Sequence, residues 1–123
     1  MTEFEKAMGF VAKWEWSNRP DGGYTNDPND AGGETRWGIS SRTHGKVPET
    51  EEEALAIYKQ DYWDFYKLYN FPSPLCIAMF DAFVQHNPKR VLEWIPKDYS
   101  QWKAFIDRRR LFYLRIIEKN PSQ

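Results

Sequence analysis

The chain has 123 residues, 41% of them hydrophobic, 17% aromatic and 28% charged, with a net charge of −1 and a mean hydropathy of −0.80. One domain fits this length, since a single core of such a size buries about two-thirds of the unfolded surface. The balanced charge gives no field to gather nucleic acid, no apolar run is long enough to span a membrane, and one cysteine, Cys76, supports neither a disulfide framework nor a thiolate metal site.

Thr2 with Glu5 three residues on forms a capping box, and Phe4, Met8, Val11 and Glu15 then follow at helical spacing. Glu15 therefore falls on the apolar face of a first helix, which Asn18 and Pro20 should end. Acids at Glu3 and Glu5 are unlike the basic start of a secretory signal, so the expectation is a protein kept in the cytoplasm until something else releases it. From Gly22 to Ser40 the sequence GGYTNDPNDAGGETRWGIS is dense in turn formers, which predicts a shaped loop or tight hairpin and a polar cleft beside the helix.

A second helix starts at Thr50, with Glu53 three residues on and Glu51 and Glu52 complementing its dipole; Ala54, Tyr58, Tyr62, Phe65 and Tyr69 form its stripe. Phe71 to Pro74 stops it, and Ser73 with Pro74 reads as the N-cap and first-turn proline of the next. There Cys76, Met79, Phe80, Phe83 and Val84 predict a central buried helix. Asn87 and Pro88 end it, a short helix follows over Lys89 to Ile95, and Ser100 caps a last one. That helix has Trp102, Phe105, Ile106, Arg109, Phe112, Tyr113 and Ile116 on one side. The fold class is mainly α: five or six helices, with one long turn-rich loop or small β-hairpin between the first two, in a single domain over residues 1–123.

A carboxylate on an apolar helix face, beside Trp14 and Trp16, loses hydration in its charged form, which raises its pKa. Such a group suits a general acid that protonates a glycosidic oxygen. Glycoside hydrolysis also wants a second carboxylate across the cleft, and the turn-rich run offers Asp21, Asp27, Asp30 and Glu34. Two plainer readings stand beside this: Glu15 as a boundary residue reaching solvent, and the aspartates as turn formers. His44 and His86 show no zinc-binding spacing, the DPND run lacks the EF-hand pattern, and no nucleotide or acyl-transfer motif is present, so no metal or cofactor is expected.

The order of helix, acid, GGY, NDPND, GGET and GIS resembles the glycoside hydrolase family 108 lysozymes, muramidases found mostly as phage endolysins. The match is best from Phe4 to Ser40 and looser through Ile57 to Trp63 and Pro74 to Pro88. The resemblance implies a lysozyme-like helical bundle and a partner in peptidoglycan. A monomer with neither nucleic-acid binding nor stable membrane insertion is expected, and the resemblance implies that it reaches the cell wall through membrane lesions made by another protein.

In that family the usual run is Glu-Gly-Gly-Tyr, whose glutamate is the essential acid. Here Asp21 stands before Gly22, and Glu15 closes the helix with Trp16 to Asp21 between them. Glu15 is favoured as the acid by its helix position, with Asp21 as the alternative; Asp is a methylene shorter, enough to misplace a proton donor by more than the tolerance of about 0.5 Å. By the same resemblance Asp30 polarises or stabilises, Thr35 positions a water, and Tyr24, Trp37 and Tyr58 are candidates for sugar stacking, each equally a candidate for the core. Residues 1–73 would be the catalytic part. Residues 74–123 resemble a shortened peptidoglycan-binding region, with QHNP where the family has Asn-Gly-Pro and without its Gly-Trp-Leu-Asn-Arg-like tail. A non-catalytic glycan-binding or structural phage protein on the same scaffold is the alternative function.

Overall fold

The computed structural model describes residues 1–15, 22–26 and 33–119, the side chains of Trp14 and Glu15 excepted. It is mainly helical: α1 (Glu3–Glu15), α2 (Ser41–His44), α3 (Glu51–Tyr58), α4 (Leu75–Gln85), α5 (Pro88–Trp94) and α6 (Trp102–Lys119), with β1 (Thr25–Asn26), β2 (Glu34–Arg36) and β3 (Ile39–Ser40) between α1 and α2. The three short strands form one antiparallel sheet in the order β1-β2-β3.

The expected caps hold at α1 and α3. Thr2 Oγ1 accepts from Glu5 N at 3.1 Å, and Thr50 Oγ1 accepts from Glu53 N at 3.2 Å. The Glu53 carboxylate reaches one residue further back than a capping box requires and accepts from Glu49 N at 2.9 Å. Two other caps differ from expectation. Pro74, not Ser73, holds the N-cap position of α4; the Glu3 carboxyl is held below the usual carboxylate range by Lys6 first and by Ser73 second. Ser100 Oγ donates to Asp98 Oδ1 at 2.7 Å, and α6 begins two residues later at Trp102.

The aromatic stripe of the second helix is also broken. After Tyr58 the chain continues as a π-helical segment, Lys59–Asp64, and one added residue in a turn rotates all that follows by about 100°. Trp63 is thereby buried in place of Phe65, which is 70% exposed, and Tyr69 also faces solvent. Lys67, at φ 53, then takes the left-handed conformation and ends the run ahead of the expected stop.

α4 is the centre of the core, as its unbroken apolar stripe predicts. Phe80 is fully buried and meets Phe4 of α1 at 5.8 Å, Trp63 at 5.8 Å and Tyr58 of α3 at 6.3 Å, each edge to face, the arrangement aromatic quadrupoles favour. Val91, Trp94 and Phe105 extend the same cluster into α5 and α6. On α6 the core-facing side is narrower than expected, since Ile106 and Tyr113 are exposed.

One buried polar group interrupts this packing. Asp81 accepts from Arg109 Nη1 at 2.6 Å and from Gln85 Nε2 at 3.0 Å, so its charge is paired and hydrogen-bonded as burial demands. The same guanidinium donates from Nε to His86 Nε2 at 3.1 Å. Burial first, and then the Arg109 charge, hold the His86 pKa below its ordinary value, with Arg90 acting in the same sense and Asp81 against it.

The sheet meets this core through Trp37 and Ile39, both buried in its cluster. Trp37 and Gly38 form the two-residue turn between β2 and β3, with Arg36 opposite Ile39; both have positive φ, 49° and 74°, the sign required by the turn that matches strand twist. A bulky residue there is strained. It is held by Tyr58, only 1% exposed, whose hydroxyl donates to the Trp37 carbonyl at 2.7 Å. The indole is pressed on Gly22, where an added Cβ would lie 2.5 Å from the ring, and a Cβ on Gly38 would lie 2.5 Å from the Tyr58 hydroxyl.

Two outcomes follow. Tyr58→Phe leaves the Trp37 carbonyl without its donor and should cost about 1–2 kcal/mol in urea unfolding, while Gly38→Ala, at positive φ and against the same hydroxyl, should cost more. Because His86 binds its proton less readily when folded than unfolded, stability should be full above about pH 6.5 and fall as pH drops through the lowered native value; His86→Gln should remove that part of the slope.

Candidate active site

The sheet sorts its side chains by strand alternation. Thr25 pairs with Thr35 and Thr35 with Ser40, so three hydroxyls lie in a row on one face. Thr35 is half-buried and Thr25 exposed on it. Ser40 is engaged at the start of α2, where its Oγ accepts from Thr43 N at 3.2 Å and donates to Thr43 Oγ1 at 2.9 Å. The opposite face carries Asn26, paired with Glu34, and buried Ile39.

Of the other candidates, Tyr24 is 45% exposed and donates from its hydroxyl to Glu34 Oε2 at 2.7 Å. That hydrogen bond is the main cause of a raised Tyr24 pKa: ionising the phenol would lose the donor and set two negative charges side by side. Trp37 and Tyr58 are both buried, at 8% and 1% exposure; their rings pack inward and their polar atoms hold the turn. The Arg36 guanidinium lies over the Trp37 ring, 4.4 Å from its centre.

The carboxylates of Glu15, Asp21 and Asp30 lie outside the described residues, as do Trp16 and Asp27. The nearest described residues are placed. α1 carries the chain to Glu15, and Gly22, one residue after Asp21, is held by its carbonyl accepting from Trp37 N at 2.8 Å. Asp30 belongs to the connection between β1 and β2, whose ends, Asn26 and Glu34, are a ladder pair.

Sequence reasoning missed a cavity of about 550 Å³ next to the sheet. Thr43 and His44 of α2 form one side, Asp61 and Tyr62 of the π-helical segment a second, and Gln85 and His86 at the end of α4 a third. His44 Nδ1 and Asp61 Oδ2 meet at 3.3 Å in its wall, and burial raises the Tyr62 pKa. The six side chains come from three stretches far apart in sequence, so no local motif announces them. Only the π turn, a departure that often accompanies functional sites, is a signal, and it is not legible before folding.

Among the described residues, no group of three His, Cys, Asp or Glu side chains could hold a metal ion. Burial pushes the Cys76 thiol pKa up, away from a reactive thiolate. No helix of the described residues is long and apolar enough to cross a membrane.

No curated protein matches the chain at a significant level, and no solved structure does so either. The profile of the family described as glycosyl hydrolase 108 matches residues 13–86, from the end of α1 through the sheet and the cavity to the end of α4. The hairpin with its close-packed glycines, the hydroxyl row and every wall residue of the adjoining cavity except Pro88 lie within that match, and this chain belongs to glycosyl hydrolase family 108.

Proposed function

We infer that the protein is an N-acetylmuramidase, hydrolysing the β-1,4 bond between N-acetylmuramic acid and N-acetylglucosamine in peptidoglycan. The observation that carries this reading is the family match over residues 13–86, which includes Glu15, Asp21, Asp30 and Thr35. Glu15 donates its proton to the glycosidic oxygen as the bond breaks, the leaving sugar departs with a hydroxyl, and positive charge develops on the ring that remains. Asp30 stabilises that charge, and Thr35 orients the water that completes hydrolysis. The exposed Tyr24, held by Glu34, is the stacking candidate best placed to meet a sugar. The half of the chain from residue 74 onward is proposed to help hold the wall.

Asp21 is the competing acid. It adjoins Gly22, which is fastened to the hairpin through Trp37, whereas Glu15 ends a separate helix. Reducing-end release from purified peptidoglycan by wild type, Glu15→Gln and Asp21→Asn decides between them. Glu15→Gln should lose at least about a hundredfold in rate, the scale of one general acid, with Asp21→Asn close to wild type. Loss confined to Asp21→Asn moves the acid there. Wild type that sediments with peptidoglycan yet releases no ends would instead support the non-catalytic alternative.

A further inference from the structure

Within the cavity beside the sheet, His86 has a ring proton whose position is fixed. Arg109 Nε can only donate, and it does so to His86 Nε2 at 3.1 Å; Nε2 therefore carries the lone pair and the proton sits on Nδ1. Tyr113 Oη lies 3.0 Å from the same Nε2, and the ring is clamped edge to face against Trp94 at 5.2 Å and Phe112 at 5.8 Å. His86 Nδ1–H is left without a partner among the described residues, on a ring that lines the cavity. It is a rigid, neutral donor.

The same cavity is flanked by a short aromatic ladder. Phe65 stands at its edge with 70% of its surface open, against Tyr66 at 4.8 Å, and Tyr66 is stacked on Phe83 at 3.9 Å. The π-helical segment that precedes Phe65 turns its ring outward. The volume of about 550 Å³ lies within the range of roughly 300–1,000 Å³ usual for small-ligand sites.

This combination selects a ligand. An open phenyl face packs against the C–H face of a pyranose, and a fixed neutral N–H suits a neutral acceptor such as an amide carbonyl. Asp61, whose carboxylate lines the wall, disfavours an anionic group there. We propose that the cavity is a subsite for one N-acetylhexosamine unit of a glycan, its ring on Phe65 and its acetamido carbonyl accepting from His86 Nδ1–H. The choice of a glycan rests on the muramidase reading; the donor and the aromatic face do not.

Calorimetric titration of the full chain with chitotetraose and with cellotetraose, which lacks the acetamido groups, tests this. Wild type should prefer chitotetraose by at least about fivefold, the worth of one neutral hydrogen bond. Phe65→Ala, at an exposed position, should weaken both sugars. His86→Phe, which keeps a ring in the clamp, should weaken chitotetraose roughly five- to tenfold with little effect on cellotetraose, and His86→Gln, with both an acceptor and a donor, should restore part of the loss. No binding by wild type, equal affinity for the two sugars, or unchanged binding in Phe65→Ala and His86→Phe proteins of wild-type melting temperature would overturn the subsite. Reducing-end release on the same preparations separates the two readings. Hydrolysis with unchanged sugar binding in both variants overturns the subsite alone, while the expected binding losses without any hydrolysis support the subsite and remove the muramidase.

Discussion

The hydrogen bond from the Tyr58 hydroxyl to the Trp37 carbonyl, 2.7 Å long and buried, fastens the turn of a small sheet to the helical core into which Trp37 and Ile39 pack. Two- and three-residue strands have too few ladder bonds to persist alone. Trp37 also occupies a turn position that costs a bulky residue conformational energy. Tyr58 is itself immobilised by packing against Phe80, so the strain of the turn is offset by the most deeply buried part of the molecule. Gly22 and Gly38 follow from this: each lies where a methyl group would collide with the indole or the phenol.

The consequence for function is positional. With the turn fixed, Thr35 is set between Thr25 and Ser40, and α2, entered directly from β3, delivers Thr43 and His44 to the cavity. The π-helical segment completes the other wall, because the same turn that carries Trp63 inward leaves Phe65 outside. At the far end of α4 the Asp81–Arg109 pair orders the polar groups of the last turn. A buried ion pair is weak support for stability by itself; here its guanidinium also fixes the tautomer of His86.

The helices were legible in the sequence where burial and capping agreed. Thr2 with Glu5, Thr50 with Glu53, and the stripe through Phe80 each state a local preference that tertiary packing reinforces. Pattern reasoning failed where a neighbouring residue took the cap position, as Pro74 does beside Ser73, and where the candidate cap was used otherwise, as the Ser100 hydroxyl is in donating to Asp98. It failed also where the helical period changed, since a stripe drawn at 3.6 residues per turn cannot anticipate a π turn. For the site, the motif from Gly22 to Ser40 lies within the residues that the family profile matches. It could not distinguish a ring that meets solvent, as Tyr24 does, from rings that build the core, as Trp37 and Tyr58 do, because all three are aromatic residues of the same run or its neighbour. The cavity was invisible because its walls meet only in three dimensions.

The muramidase proposed here cleaves the wall glycan on one side of a particular sugar. Its most direct test is mass spectrometry of borohydride-reduced fragments from peptidoglycan digested to completion by the wild-type chain. Every new reducing end should be N-acetylmuramic acid, recovered as its alditol. New ends of N-acetylglucosamine, or no new ends from an enzyme shown to be folded, would contradict it.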